Sequence, residues 1–316
     1  MGPRVPSIRA LTALVLLLLA ACATRERAAE GFIQVPGGRI YYAVMGDGPG
    51  TPLIVIHGGP GSGSFGLKPW AALGDERRVI RYDQLGSGKA DHPSDTTLFT
   101  VERAIQELRI LRDSLSLDEV HLYGRSWGAM LVEAYMGTNP SGVRSVILSS
   151  PLVTTAQWVR DADSLLLTLP DSVQAVIARH EAAHTTDSPE YQAATEVYYK
   201  LYLTREPRRS KADADSAGRA RGDLVYNYMW GPSEFTATGT LKHFDATEWL
   251  KRIRIPALFV AGEFDEATPA STEMFSRLVP GAEFRIIPRS GHSTENDNPE
   301  ALLRTVRDFL RRAEKR

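Results

Sequence analysis

The residues Gly124-Arg125-Ser126-Trp127-Gly128 set a serine between two glycines, after the apolar run 120–123 and before a helical stretch reaching about residue 136. A serine held on a tight strand-to-helix turn stands clear of the sheet, with the helix amino terminus offering N–H groups to developing negative charge. Such a hydroxyl needs a base, and the base needs an orienting acid. Of the seven histidines, His292 lies in Arg289-Ser290-Gly291-His292, just beyond the apolar run 284–287. Asp265 follows the run 257–262 in Gly262-Glu263-Phe264-Asp265. In this arrangement Asp265 fixes the imidazole tautomer, and His292 takes the serine proton and returns it to the leaving group. Asp297 and Asp245 are rival acids, but neither closes a strand in the penultimate position. His57-Gly58-Gly59-Pro60-Gly61 follows the first buried run, and its glycines let backbone approach a tetrahedral oxyanion. The N–H groups of Gly59 and Trp127 are assigned as the two oxyanion donors, with His57 as an orienting loop residue. The loop lacks the G-x-G-x-x-G spacing of a dinucleotide site.

The elements that position these residues follow from hydrophobic periodicity. Residues 32–47 read as a hairpin around Pro36-Gly37-Gly38. Short buried strands are expected at 53–56, 79–82, 120–123, 143–148, 257–262 and 284–287, with helices at 101–115, to about 136, and at 299–312. Strands alternating with helices predict an α/β class fold, a mostly parallel sheet covered on both faces. The alternation stops at 151–250, which holds helical segments and no convincing strand. The expected organisation is a core of 32–150 and 251–316, with a helical cap of 151–250 inserted before the penultimate strand. Residues 205–223, dense in Arg, Lys and Asp, read as a solvated helix or linker, with a basic binding patch as the minor reading. His180 and His184 sit four apart on an expected lid helix, the spacing of a metal pair. No third ligand and no H-E-x-x-H accompany them, so no metal is expected, and acyl transfer from serine requires no cofactor.

Composition narrows the function classes further. The chain has 316 residues, 43% hydrophobic and 24% charged, with a formal net charge of -1. That balance gives no bulk field for nucleic acid. A single cysteine excludes an internal disulfide framework. It sits at Leu19-Ala20-Ala21-Cys22, where an apolar run preceded by Arg4 and Arg9 ends. The tetrapeptide resembles a bacterial lipobox, which implies a signal peptide over 1–21, lipidation of Cys22, a polar spacer over 22–31 and a periplasmic domain anchored at a membrane. Ala23 in place of Asp suggests the outer membrane. A plain secretory signal or an uncleaved anchor are the other readings, and an unprocessed chain would be cytoplasmic.

Across most of residues 32–312 the chain resembles the proline iminopeptidases and the tricorn-interacting aminopeptidase factor. The motifs are HGGPG at 57–61, DQLGSG at 83–88, GRSWG at 124–128, MWGPSEF at 229–235, GEFDEATP at 262–269 and SGH at 290–292. The resemblance implies an α/β-hydrolase fold with a helical cap, the chain order Ser126, Asp265, His292, and release of an amino-terminal residue, proline-leaning or broad, from short peptides with a free amino terminus. It also implies that Glu234 and Glu266 hold the substrate's α-amine. An amino-acid amidase, esterase or lactonase would use the same triad, and a non-catalytic scaffold would have lost a member of it. Epoxide hydrolases and dehalogenases of this fold carry Asp where Ser126 stands. Two features depart from the family pattern. Arg125 precedes the serine where many relatives carry Gln or Gly, its side chain expected to point away from substrate. The cap, above all 205–223, is the least familiar segment. Neither the preferred first residue nor the oligomeric state is readable.

Overall fold

The computed structural model describes residues 29–206 and 222–315. Seven strands form one sheet: β1 (Glu30–Val35), β2 (Gly38–Ile56), β3 (Arg77–Asp83), β4 (Val120–Arg125), β5 (Val143–Ser149), β6 (Ala257–Gly262) and β7 (Glu283–Ile287). Their order is β1-β2-β4-β5-β6-β7, with β3 also paired to β2. From β2 through β7 the successive pairs along that path are parallel, while β1 is antiparallel to β2. Every residue of β6 is buried, which is why it reads as a continuous apolar run rather than an alternating one.

One element differs from its sequence reading. The stretch 38–56 is a single bent strand, not a hairpin arm and a separate strand at 53–56. Gly46, Gly48 and Gly50 have the composition of a turn, yet the chain uses them to pass against Gly74 and the 75–77 backbone, where added Cβ atoms would clash. The register to β3 breaks there, between Met45 and Leu53.

Helices cover both faces of the sheet. On one lie α1 (Val101–Ser114), whose first turn is capped by the Thr100 hydroxyl, and α2 (Trp127–Gly137). They bury Leu108, Leu111 and Met130 against Ile54, Ile56 and Leu122. On the other face α9 (Pro299–Ala313) packs Leu302, Val306 and Phe309 with Trp70 against Leu53, Val55 and Tyr123. Alternate β2 residues thus feed opposite cores, as the pleat requires.

The cap lies between β5 and the penultimate strand β6. It comprises α3 (Thr155–Leu166), α4 (Asp171–Ala182), α5 (Pro189–Tyr198), a π-helical turn (Tyr199–Leu203), α6 (Asp223–Met229) and α7 (Thr247–Leu250). It has an apolar cluster of its own built on Ala162, Ile177, Tyr191, Tyr198 and Phe235. The expected pairing of His180 and His184 on one helix face is not formed, because α4 ends at Ala182 and His184 follows at a φ of 53°. His180 instead contacts Thr185, Ser188 and Glu190. Among the described residues no group of three or more His, Cys, Asp or Glu is placed to hold a metal ion. Of the charged stretch 205–223, residues 207–221 lie outside the described residues, as does Cys22 with the whole of 1–28. Between β6 and β7 stands α8 (Pro269–Ser276), a helix the periodicity did not reveal.

Candidate active site

Ser126 occupies the junction between β4 and α2 with φ 54° and ψ −120°, a backbone conformation sparsely populated by non-glycine residues. The flanking glycines are sterically required. A Cβ on Gly124 would lie 2.2 Å from the Gly128 carbonyl oxygen, and one on Gly128 would lie 2.5 Å from that of Ile56. The Ser126 N–H donates to Ser149 O at 2.9 Å, tying the turn to β5. Trp127 opens α2, so its N–H is one of the first-turn donors without an intrahelical acceptor. Its indole donates to Gln84 Oε1 at 2.9 Å. Gly59, the other expected oxyanion donor, sits at φ 112° in the loop after β2.

Asp265 and His292 are brought together from the ends of β6 and β7. Asp265 Oδ1 accepts from His292 Nδ1 at 2.8 Å and from the Ala267 N–H at 2.9 Å. Its Oδ2 accepts from the Ser150 hydroxyl at 2.6 Å and the Gly262 N–H at 2.9 Å. These four bonds fill a carboxylate that is only 1% exposed and engage His292 through Nδ1, which leaves Nε2 as the ring nitrogen that can act as base. Among the described residues no hydrogen bond joins Ser126 Oγ to the imidazole. Their chain neighbours meet instead, Arg125 Nη1 donating to Ser293 Oγ at 3.2 Å. Serine–histidine contacts of this type tighten when substrate binds.

The cap rests directly on the histidine. Trp158 of α3 meets the His292 ring edge-on at 5.5 Å between centroids, and Trp230 stands 5.9 Å beyond it. The end of the π-helical turn pairs with the histidine loop, His292 N–H donating to Tyr202 O and Ser293 N–H to Leu203 O, both at 2.8 Å. Asp297, a rival acid by sequence, secures this strap instead. Its carboxylate accepts the N–H groups of Gly291, Arg205 and Glu206. Asp245, the other rival, is exposed and accepts the Thr247 N–H at the start of α7.

Glu266 is as buried as Asp265, at 1% exposure, and neither of its carboxylate oxygens has a hydrogen-bond partner among the described residues. Oε1 lies 3.9 Å from His292 Nδ1, and the Tyr198 hydroxyl approaches without completing a bond. Burial first, then the charges of Glu234 and Asp265, push the Glu266 carboxyl well above its usual range. Glu234 comes from the cap, its N–H donating to the Tyr199 hydroxyl at 3.3 Å and its carbonyl accepting from the Trp158 indole at 2.8 Å. Tyr226 adjoins the Glu234 carboxylate, and burial chiefly raises that phenol far above normal. Glu266 thus lies beside the imidazole, with the Glu234 carboxylate of the cap within electrostatic reach of it and of Tyr198 and Tyr226.

On the side of Arg125, a cavity of about 410 Å³ is lined by His57, Phe65, Lys68, Arg125, Ser293 and Glu295 among others. His57 accepts from the Gln84 N–H at Nε2 (3.4 Å), so its Nδ1 carries the proton donated to Gly58 O at 2.8 Å. Burial holds its pKa below the usual value, so it is neutral and knits the two glycine-rich loops. Sequence reasoning did not single out Ser150, Trp158 or Tyr198. Ser150 alone carried a local signal, its place at the end of the strand beside the elbow.

The same architecture recurs in known proteins. The family model for the alpha/beta hydrolase fold matches residues 51–298. A proline iminopeptidase from Heyndrickxia coagulans is 46% identical over 282 residues, covering 89% of this chain and 98% of that one. Of solved structures, proline iminopeptidase from Mycobacterium smegmatis superposes with a TM-score of 0.82 at 31% identity, over 90% of this chain and 98% of that one. VinJ does so with a TM-score of 0.86 at 30% identity, over 90% and 99%. With its serine elbow, its Asp–His pair and its cap, the chain is a serine hydrolase that belongs to the proline iminopeptidase family of the α/β-hydrolase fold.

Proposed function

We propose that this enzyme is a serine aminopeptidase releasing an amino-terminal residue, proline-leaning or broad, from short peptides with a free amino terminus. The observation that carries this reading is Glu266, a buried carboxylate with no hydrogen-bond partner, set beside the imidazole and within electrostatic reach of Glu234. A carboxylate kept this way is stabilised by an incoming cation. A substrate ammonium would ionise Glu266, donate charge-assisted hydrogen bonds to both acids, and place the first peptide carbonyl over Ser126. An internal peptide bond brings no ammonium, so the same clamp enforces exopeptidase action.

The chemistry follows from the positions of the groups. His292, held in one tautomer by Asp265, takes the proton from Ser126 Oγ as the oxygen attacks the carbonyl. The resulting oxyanion accepts from the Gly59 and Trp127 N–H groups. The imidazolium protonates the leaving amine, the C–N bond breaks, and a water deprotonated by the same histidine hydrolyses the acyl-enzyme. Proline naphthylamide and its N-acetyl form separate this reading from simple esterase or amidase action. Turnover of the free amine with loss of at least about 100-fold on acetylation is expected, a difference of about 2.7 kcal/mol. Equal turnover of both would remove the clamp from the account.

The amino-terminal signal supports a second proposal, that processing leaves Cys22 lipidated and the enzyme tethered at a membrane facing the periplasm, outer-membrane retention being suggested by Ala23. Cell fractionation of wild type and Cys22→Ser is the test: the wild type should sediment with membranes and the variant should not. An intact mass matching an unmodified chain from Met1 would overturn it.

A further inference from the structure

The cavity beside Arg125 has no part in holding the amine. None of Trp158, Trp230, Glu234, Glu266 or Tyr198 lines it. Its lining instead includes chain neighbours of three site residues: Arg125 precedes Ser126, Ser293 follows His292, and His57 lies two residues before Gly59. A substrate whose amine is fixed at Glu266 must send the far side of its scissile bond away from the clamp. We propose that this cavity receives the residue released with the leaving amine and that Arg125, assisted by Lys68, binds that residue's terminal carboxylate. The enzyme is then tuned to dipeptides. This inference rests on the aminopeptidase reading above.

The electrostatics and the unused donors point to an anion. Arg125 is four-fifths buried, and among the described residues only one of its five N–H donors, on Nη1, has a hydrogen-bonded acceptor, Ser293 Oγ. Its Nε is buried without an acceptor, 3.7 Å from Glu295 Oε2. Glu295 is itself engaged by the Tyr123 hydroxyl at 2.5 Å and is largely covered. Lys68 stands at the rim with Nζ 3.8 Å over the Phe65 ring and no ion-pair partner among the described residues. With His57 neutral, the lining carries two cations against one buried carboxylate. A guanidinium with free N–H groups beside a partly apolar chamber is a strong receptor for a carboxylate, which it engages through two parallel bonds. The size agrees, since about 410 Å³ holds a single amino-acid residue with room for its solvent.

The test compares prolyl-alanine with prolyl-alaninamide, which share the ammonium and the scissile bond and differ only in the terminal charge. The readout is the ratio of kcat/KM for acid over amide within each enzyme, so a general loss of activity cancels. Wild type should favour the acid by about tenfold, Arg125→Gln should bring the ratio near one, and Arg125→Lys should keep part of the preference. Lys68→Met, at an exposed position that folding does not depend on, should lower the ratio about two- to threefold. A wild-type ratio of one or below, or a ratio unmoved by both Arg125→Gln and Lys68→Met, overturns the inference. Proline naphthylamide, which has no carboxylate, separates this failure from that of the underlying reading. If wild type hydrolyses it while the acid-to-amide ratio is one, only the carboxylate site is lost. If wild type does not hydrolyse it, the aminopeptidase reading falls too.

Discussion

Asp265 and Glu266 are adjacent in sequence, equally buried, and electrostatically opposite. Asp265 turns into the carboxyl ends of the sheet, where four donors fill its lone pairs. Glu266, among the described residues, accepts no hydrogen bond, while the charges of Glu234, Asp265 and Arg125 and the Tyr198 hydroxyl lie within electrostatic reach. The core therefore presents a carboxylate already stabilised by its surroundings, whereas the cap boundary presents one without donors, as the proposed ammonium clamp requires. A group that must hold a catalytic base in one tautomer needs fixed bonds. A group that must recognise an ammonium needs vacant lone pairs, and the fold accepts the cost of burying them.

Substituting Asp265 by Asn tests the first half of this contrast. The amide keeps the shape, but one end of it must present N–H to donors already facing it. We expect kcat to fall about 10⁴-fold, as removal of the orienting charge does in serine triads, together with a lower melting temperature. A variant that kept more than about a tenth of wild-type kcat would show that the buried bonds around Asp265 are structural only.

Glu266→Gln should separate activity from stability. Loss of the negative charge should lower kcat/KM for free-amine substrates about 10- to 100-fold while leaving the melting temperature unchanged or higher, because an unpaired buried carboxyl has been removed. A lower melting temperature with normal kinetics would contradict the assignment of the two neighbours.

Asp297→Asn probes the seam where the two regions meet. Its carboxylate gathers N–H groups from the histidine loop and from the strap that leaves the cap. Weakening these bonds should loosen His292 without touching Asp265 and lower kcat about tenfold with little change in KM, an effect of about 1.4 kcal/mol. Steady-state kinetics on one free-amine substrate would decide it; a change confined to KM would place Asp297 outside the catalytic alignment.

The same contrast explains what could be read from sequence. The strands ending at Arg125 and Gly262 are almost wholly buried and the one ending at Ile287 is a short run at the sheet edge; the residues that follow all three are placed by strand ends, so a linear pattern conveys where they meet. The sharp turn at Ser126 is written in its two glycines. The helix at Pro269–Ser276 carried a legible start in Thr268-Pro269, the capping hydroxyl and first-turn proline. The cap is different. Trp158 reaches His292 and Tyr198 reaches Glu266 through tertiary packing of helices whose own periodicity names a buried face but no partner. The role of Asp297 was hidden for the same reason, because two of its donors come from residues about 90 positions away. The long strand β2 was misread because glycines that permit close backbone approach have the composition of a turn.

The smallest expected effect is on the pH dependence of stability. Burial, reinforced by Glu234 and Asp265, raises the Glu266 carboxyl above its ordinary value of 4.5. Between that value and the raised one, the folded chain holds a proton that the unfolded chain has released. Stability must then fall as pH rises through this window, the opposite of a salt-bridged acid. Glu107, pushed up to about 7 by burial, and Glu133, raised further by the same cause, contribute in the same direction. Because both remain in Glu266→Gln, the difference between wild type and variant isolates Glu266. From about pH 5 to about pH 8 the wild-type melting temperature should drop relative to the variant by a few degrees, at about 2 °C or less per kcal/mol for a chain of this length. A free-amine ligand should reverse the trend, since an ammonium favours the ionised carboxyl, so its stabilisation of wild type should grow with pH and be largely absent in the variant. Parallel melting curves for the two proteins, with and without the ligand, would mean that Glu266 does not change charge in this range, and the contrast with Asp265 would then rest on geometry alone.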